Sequence, residues 1–182
     1  GVVAHINSPG GSATASDVIW QAMADLADTV PLAAYCTDVA ASGGYYLASA
    51  ARHITCHNTT MTGSIGVVLG KVSSRDLPER IGVNVESILN YESDTFTSLV
   101  HPLGNEMMER LDEQGRAFYR RFLERVGQAR DIPRRRLHRY ARGRVYFGRD
   151  AEHRGLVDEL GGFQAAYNWV LDQTDVSRDD AE

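Results

Sequence analysis

The chain has 182 residues, 43% of them hydrophobic, with 17 glycines and 5 prolines. That suffices for one globular domain with a full core and excludes a disordered or collagen-like polypeptide. A net charge of −5 and a pI near 5.7 carry no signature of a nucleic-acid binder, and no apolar run approaches the ~20 residues that span a bilayer.

In chain order, Val2 to Ile6 is predicted as a short buried strand. Ala15 to Ala27 follows as a helix capped by Ser12 or Thr14, with Val18, Ile19, Ala22, Met23 and Leu26 on its apolar face. Leu32 to Cys36 is a second strand, Gly43 to Ala51 a small-residue helix, His53 to His57 a third strand, and Ser64 to Leu69 a fourth. A helix near Ser74 to Arg80 and a strand from Val83 to Leu89 complete this half. Strands alternating with helices predict a parallel sheet with α/β crossovers. After Tyr91 the composition changes. Glu92 to Leu103 reads as a polar loop, and Asn105 to Ala129 as one amphipathic helix burying Met107, Met108, Leu111, Phe118, Phe122 and Val126. Shorter helices are expected from Arg134 to Ala141, from Gly148 to a stop at Gly155, and from Phe163 to Leu171, with a turn over Leu156 to Gly162. Residues 1–91 thus form an α/β core and 92–182 a mainly helical part of one domain. The chain opens at Gly1 directly into a strand, as expected of a piece of a longer protein.

Cys36 and Cys56 lie in predicted strands and read as buried thiols, unless neighbouring strands bring them within bonding reach. Arg134, Arg135, Arg136, Arg139, Arg142 and Arg144 form a basic run without an aromatic platform. A solvated helix face or a subunit contact accounts for it better than nucleic acid.

The chemistry concentrates around Ser42. It stands in Asp38-Val39-Ala40-Ala41-Ser42-Gly43-Gly44-Tyr45-Tyr46, between a strand and a helix. An abrupt strand-to-helix turn can expose a serine Oγ to a carbonyl, and following glycines permit it. The plain alternative is a serine that caps a helix. A second glycine pair lies in Ile6-Asn7-Ser8-Pro9-Gly10-Gly11-Ser12, also after a strand. Its N–H groups could face the same crevice at the strand C-termini. Gly10, Gly11 and Gly43 are therefore candidate oxyanion donors, although Gly-Gly alone can mark a tight turn. A serine also needs a base to act as a nucleophile at neutral pH.

These two segments, together with Thr62-Gly-Ser-Ile-Gly-Val-Val68, Gly148-Arg-Asp-Ala151 and Gly155-Leu-Val-Asp-Glu-Leu-Gly-Gly162, resemble the signal peptide peptidase A family, the S49 serine peptidases. The resemblance spans nearly the whole chain. It implies a ClpP/crotonase-like α/β spiral fold with a C-terminal helical segment and peptide-bond hydrolysis by a Ser/Lys dyad. It implies no metal or organic cofactor. It also implies a ring-like homo-oligomer, membrane-associated in the full-length protein, that degrades signal-peptide remnants and similar apolar segments. Ser64 resembles the residue that hydrogen-bonds the catalytic lysine, with a loop-capping serine as its alternative. The ClpP peptidases share the Asn-Ser-Pro-Gly-Gly element but use a histidine about 25 residues after the serine. That neighbourhood here is Gly66 to Leu69. His53, His57 and His101 read as strand or loop histidines.

The family's lysine precedes a Pro-Leu pair that resembles Pro102-Leu103, and the matching position is Asp94. In the tandem-domain form of the family the lysine comes from the N-terminal half and the serine from the C-terminal half. This chain resembles the C-terminal half, so the expected base belongs to an N-terminal homologous domain, and the isolated chain is expected to be inactive. Lys71, the single lysine, is the alternative base if burial lowers its pKa. A scaffold domain without chemistry is a further reading. A crotonase-type acyl-CoA enzyme is another, but it would have no use for Ser42 in this turn.

Overall fold

A computed structural model describes residues 1–74, 76–86, 88, 98 and 100–174. The chain divides into two compact units, residues 1–67 with 118–182 and residues 68–117. The composition change after Tyr91 falls inside the second.

The first unit is built on β1 (Val2–Ser8), α1 (Ala13–Ala27), β2 (Leu32–Ala41), α2 (Gly43–Ala48), β3 (His53–Cys56) and β4 (Met61–Gly63). It also holds α5 (Arg134–Tyr140), β5 (Val145–Phe147), α6 (Gly148–Glu152), β6 (Glu159–Leu160) and α7 (Phe163–Asp172). The second unit holds α3 (Asp76–Arg80). Helix α4 (Asn105–Ala129) contributes residues to each unit. Among the described residues no helix is long and apolar enough to cross a membrane. The mixed α/β architecture is that of the ClpP/crotonase-like class.

Strand β2 organises the sheet. Its first half pairs in parallel with β1 and β3 (Ile6 opposite Cys36, Cys36 opposite Cys56), and its last three residues pair with β4. Strand β6 extends the sheet beyond β3 in parallel, and β5 runs antiparallel to β4. Between its two halves β2 bulges. Ile6 faces Cys36 and Ser8 faces Ala40, so Asn7 alone stands opposite Thr37, Asp38 and Val39. A bulge re-aims the strand that carries it, here the strand leading to Ser42. Thr60 Oγ1 covers the bulge from the far side by donating to the Thr37 carbonyl oxygen.

Leu32, Ile54, Leu137 and Leu156 are fully buried in this core, each worth roughly 1.5–3 kcal/mol. Tyr45 is buried with them, its hydroxyl donating to the Leu156 carbonyl oxygen at 2.8 Å. The segment from Gly148 to Gly162 closes the core through its backbone. A Cβ on Gly148 would stand 2.1 Å from the His57 carbonyl oxygen. Asp158 accepts the Ile54 N–H at 2.7 Å and pairs with the Arg130 guanidinium.

Several expectations are corrected. Helix α1 buries Ser16, Trp20 and Ala27, while Val18, Ile19 and Leu26 are exposed. Both stripes have helical spacing. The buried one wins because Ser16 is small enough to pass Gly43, and the Trp20 indole N–H reaches Ser49 Oγ at 3.1 Å. Strand β2 continues to Ala41 instead of ending at Cys36. The strand expected over Ser64 to Leu69 is irregular backbone, and the pairing falls on Met61–Gly63 instead. Helix α2 ends at Ala48 and α6 at Glu152. Met108 on α4 is exposed. Strands β5 and β6 were not anticipated. Of the strand expected from Val83 to Leu89, residues 83–86 and Ile88 are irregular, and the rest lies outside the described residues, as does Asp94. Cys36 and Cys56 are free, buried register partners on β2 and β3. Burial pushes their thiols up to about 12 and about 11, so both remain protonated at neutral pH.

Candidate active site

Ser42 follows β2 without a linker and is the N-cap of α2. Its backbone has φ 52° and ψ −119°, a conformation costly for a residue with a Cβ and concentrated at functional turns. Two backbone bonds hold it there. Its N–H donates to the Gly63 carbonyl oxygen at 2.9 Å, and its own carbonyl oxygen accepts the Tyr46 N–H at 2.8 Å. The side chain makes no capping hydrogen bond. The helix-cap alternative therefore fails, and the half-buried hydroxyl is left to other use.

The glycine loop abuts this elbow. Gly10 has φ 105°, and a Cβ there would lie 2.6 Å from Gly43 N and 2.8 Å from Ser42 Cβ. A Cβ on Gly43 would meet Ser16 Oγ at 2.5 Å, Gly10 Cα at 3.2 Å and Gly11 N at 3.3 Å. Only glycine allows two backbones this close. The Gly10 N–H donates to Ser8 Oγ at 3.1 Å. Among the described residues, the N–H groups of Gly11 and Gly43 have no hydrogen-bond acceptor. Gly43 opens a helix, where the first N–H groups lack intrahelical partners and the local potential is positive. The arrangement can hold a nucleophilic hydroxyl beside two N–H donors.

Ser64 is drawn to the same place. Ala41 and Gly63 are register partners, so Ser42 and Ser64 each follow one member of that pair. Ser64 also has positive φ, 49°, and its N–H donates to the Arg144 carbonyl oxygen at 2.7 Å. Lys71 belongs to the second unit. There its ammonium group donates to the His101 carbonyl oxygen at 2.5 Å.

The three histidines weighed from the sequence each have a partner of their own. His53 stacks on Trp169 at 4.9 Å and contacts Glu159 Oε2 at 3.1 Å. His57 Nε2 lies 2.9 Å from the Tyr35 hydroxyl, and His101 Nδ1 lies 3.1 Å from Ser98 Oγ. What sequence reasoning missed is the side-chain link across the β2 bulge. Asn7 Oδ1 accepts the Val39 N–H at 3.2 Å, and Asn7 Nδ2 donates to Asp38 Oδ2 at 3.2 Å. Both residues stand inside the motifs quoted above, but their pairing depends on a register that only the fold supplies.

Known proteins resemble the chain over most of its length. The family model for peptidase family S49 matches residues 24–177. The chloroplastic serine protease SPPA of Arabidopsis thaliana is 40% identical over 165 residues, covering 90% of this chain and 24% of that protein. Protease 4 of Haemophilus influenzae is 35% identical over 168 residues, 92% of this chain and 27% of that protein. Protease 4 of Salmonella typhi is 34% identical over 169 residues, 91% of this chain and 27% of that protein. The chain thus spans about a quarter of the length of these relatives. With the family model matching residues 24–177, most of its length, the chain belongs to peptidase family S49.

Proposed function

We propose that the chain is the nucleophile-bearing part of a serine endopeptidase that works by a Ser/Lys dyad, its lysine supplied by another domain. Ser42 Oγ attacks the peptide carbonyl while a neutral lysine amine takes its proton. The Gly11 and Gly43 N–H groups hold the oxyanion of the tetrahedral intermediate. That intermediate collapses to an acyl-enzyme as the ammonium protonates the departing amine, and water then releases the acyl group. Ser64 orients the lysine. The observation that carries the reading is the Ser42 backbone at φ 52° with an uncapping hydroxyl. A serine that served only as a helix cap would use its oxygen and relax its backbone.

The substrate is an extended, apolar peptide of the kind left by signal-peptide cleavage. Ring-like assembly and membrane association of the full-length protein belong to the same proposal. Lys71 is bonded within its own unit, and the three histidines are engaged elsewhere. These contacts support a base from outside the chain.

The test is hydrolysis of an unstructured apolar peptide by three samples: the full-length protein, its Ser42→Ala variant and the 182-residue chain alone. Activity is expected from the first only. Ser42→Ala should lower the rate by at least about 10³-fold. Turnover by the chain alone would turn attention to Lys71, and an inactive full-length protein would favour a scaffold.

A further inference from the structure

We propose that Asn7, through Asp38, is a positioning residue that sets the spacing between the Ser42-Gly43 turn and the Gly11 oxyanion donor. This rests on the peptidase reading of Ser42.

The two halves of the site come from different strands. Gly10 and Gly11 lie just beyond β1, and Ser42 directly follows β2. Between the halves the β1–β2 ladder is interrupted, with Asn7 opposite Thr37, Asp38 and Val39. The Asn7 amide fills that interruption. Its Oδ1 takes the Val39 N–H, as a backbone carbonyl would in an unbroken ladder, and its Nδ2 holds the Asp38 carboxylate, each at 3.2 Å.

The link lies three residues before each half of the site. Asn7 precedes Gly10 by three residues, and Val39 precedes Ser42 by three. Beyond it little slack remains, because Val39 to Ala41 is regular strand running directly into Ser42, and Gly10 is in backbone contact with Gly43. A shift of the bulge therefore passes along β2 to Ser42 and changes its distance from the glycine loop.

Oxyanion donors act on the transition state more than on bound substrate. The expected signature is thus a loss in kcat with little change in KM. Because misplacement by about 1 Å can cost about 10²-fold, Asn7→Ala in the full-length protein should lower kcat by about 10- to 100-fold and leave KM within about threefold. Asn7→Asp should do the same, because the introduced carboxylate still accepts the Val39 N–H but faces Asp38 with like charge. Asp38→Asn alone keeps an acceptor and should stay within about threefold of wild type. Combining Asn7→Asp with Asp38→Asn restores one donor and one acceptor, so kcat should return to within about fivefold of wild type.

The variants are compared on the apolar peptide, with thermal unfolding followed in parallel. If Asn7→Ala does not fold, the isosteric Asn7→Asp and the swapped pair decide. Wild-type kcat in Asn7→Asp, a loss appearing in KM alone, or a folded swapped pair as slow as Asn7→Asp would overturn the proposal. Hydrolysis that survives Ser42→Ala would instead remove the peptidase reading and this inference with it. Ser42-dependent hydrolysis with fully active Asn7 variants removes the inference alone.

Discussion

The elbow around Ser42 and the unit of residues 68–117 are held by different means. Around the elbow, backbone meets backbone. Gly10 touches Gly43, Gly44 lies against the Ser8 carbonyl, and Tyr45 behind them is fully buried. Among the described residues of 68–117, none is buried. Val68 and Ile88 are 96% and 99% exposed, and Val72, Leu77 and Ile81 are exposed as well. Close backbone contacts hold the turn that carries Ser42. The described residues of the unit that carries Lys71 are exposed or half-buried. The contrast explains why Ser42 reads as machinery and Lys71 does not.

Substitutions can break or sharpen that comparison. The largest effect is expected at Gly44, where a Cβ would lie 2.3 Å from the Ser8 carbonyl oxygen. Backbone must move to admit it, so Gly44→Ala should destabilise the chain by about 3 kcal/mol or more, at the upper end of overpacking costs. Denaturant unfolding measures this, and a loss under about 1 kcal/mol would show that the elbow is looser than described. Next comes Lys71→Met in the full-length protein. With the base supplied from elsewhere, kcat/KM should stay within about threefold, whereas loss of the base would cost about 10²-fold or more. The smallest effect is expected at Gly115 on α4. There a Cβ would meet the flexible Leu69 side chain, its Cδ1 at 2.8 Å and its Cγ at 3.7 Å. Relief from glycine inside a helix is worth up to about 1 kcal/mol. Gly115→Ala should therefore leave stability unchanged or slightly raised, and a loss comparable to that of Gly44→Ala would erase the distinction between the two regions.

The sequence revealed most where its signal was local. Helix α4 runs over the predicted Asn105–Ala129 because a long amphipathic pattern needs no distant partner to be read. Ser42 was visible through its glycines and the apolar segments on either side. The buried face of α1 was misread because two stripes fit helical spacing, and the choice between them depends on the close approach of Gly43. Strand β2 was read too short because Thr37 and Asp38 break its apolar pattern at the bulge. Strands β5 and β6, at 3 and 2 residues, exist only through pairing with distant β4 and β3. Val67 and Val68 suggest a strand, but that stretch lies beyond the end of β4, where Ser64 and Ile65 still bond across to Arg144 and Gly143 without forming a regular strand. Of the glycine N–H groups suggested by the motifs, Gly10 proved to serve its own loop through Ser8. A side-chain acceptor two residues away was beyond what the glycine pair alone could indicate.

The nucleophile itself can be tested most directly by its covalent chemistry. A fluorophosphonate probe reacts when an activated serine oxygen displaces fluoride and leaves a phosphonyl ester on that residue. With the full-length protein, peptide mapping by mass spectrometry should place the adduct on Ser42 and nowhere else, and Ser42→Ala should abolish it. Labelling at another serine, or a full-length protein that hydrolyses peptide while Ser42 stays unmodified by the probe, would contradict the account.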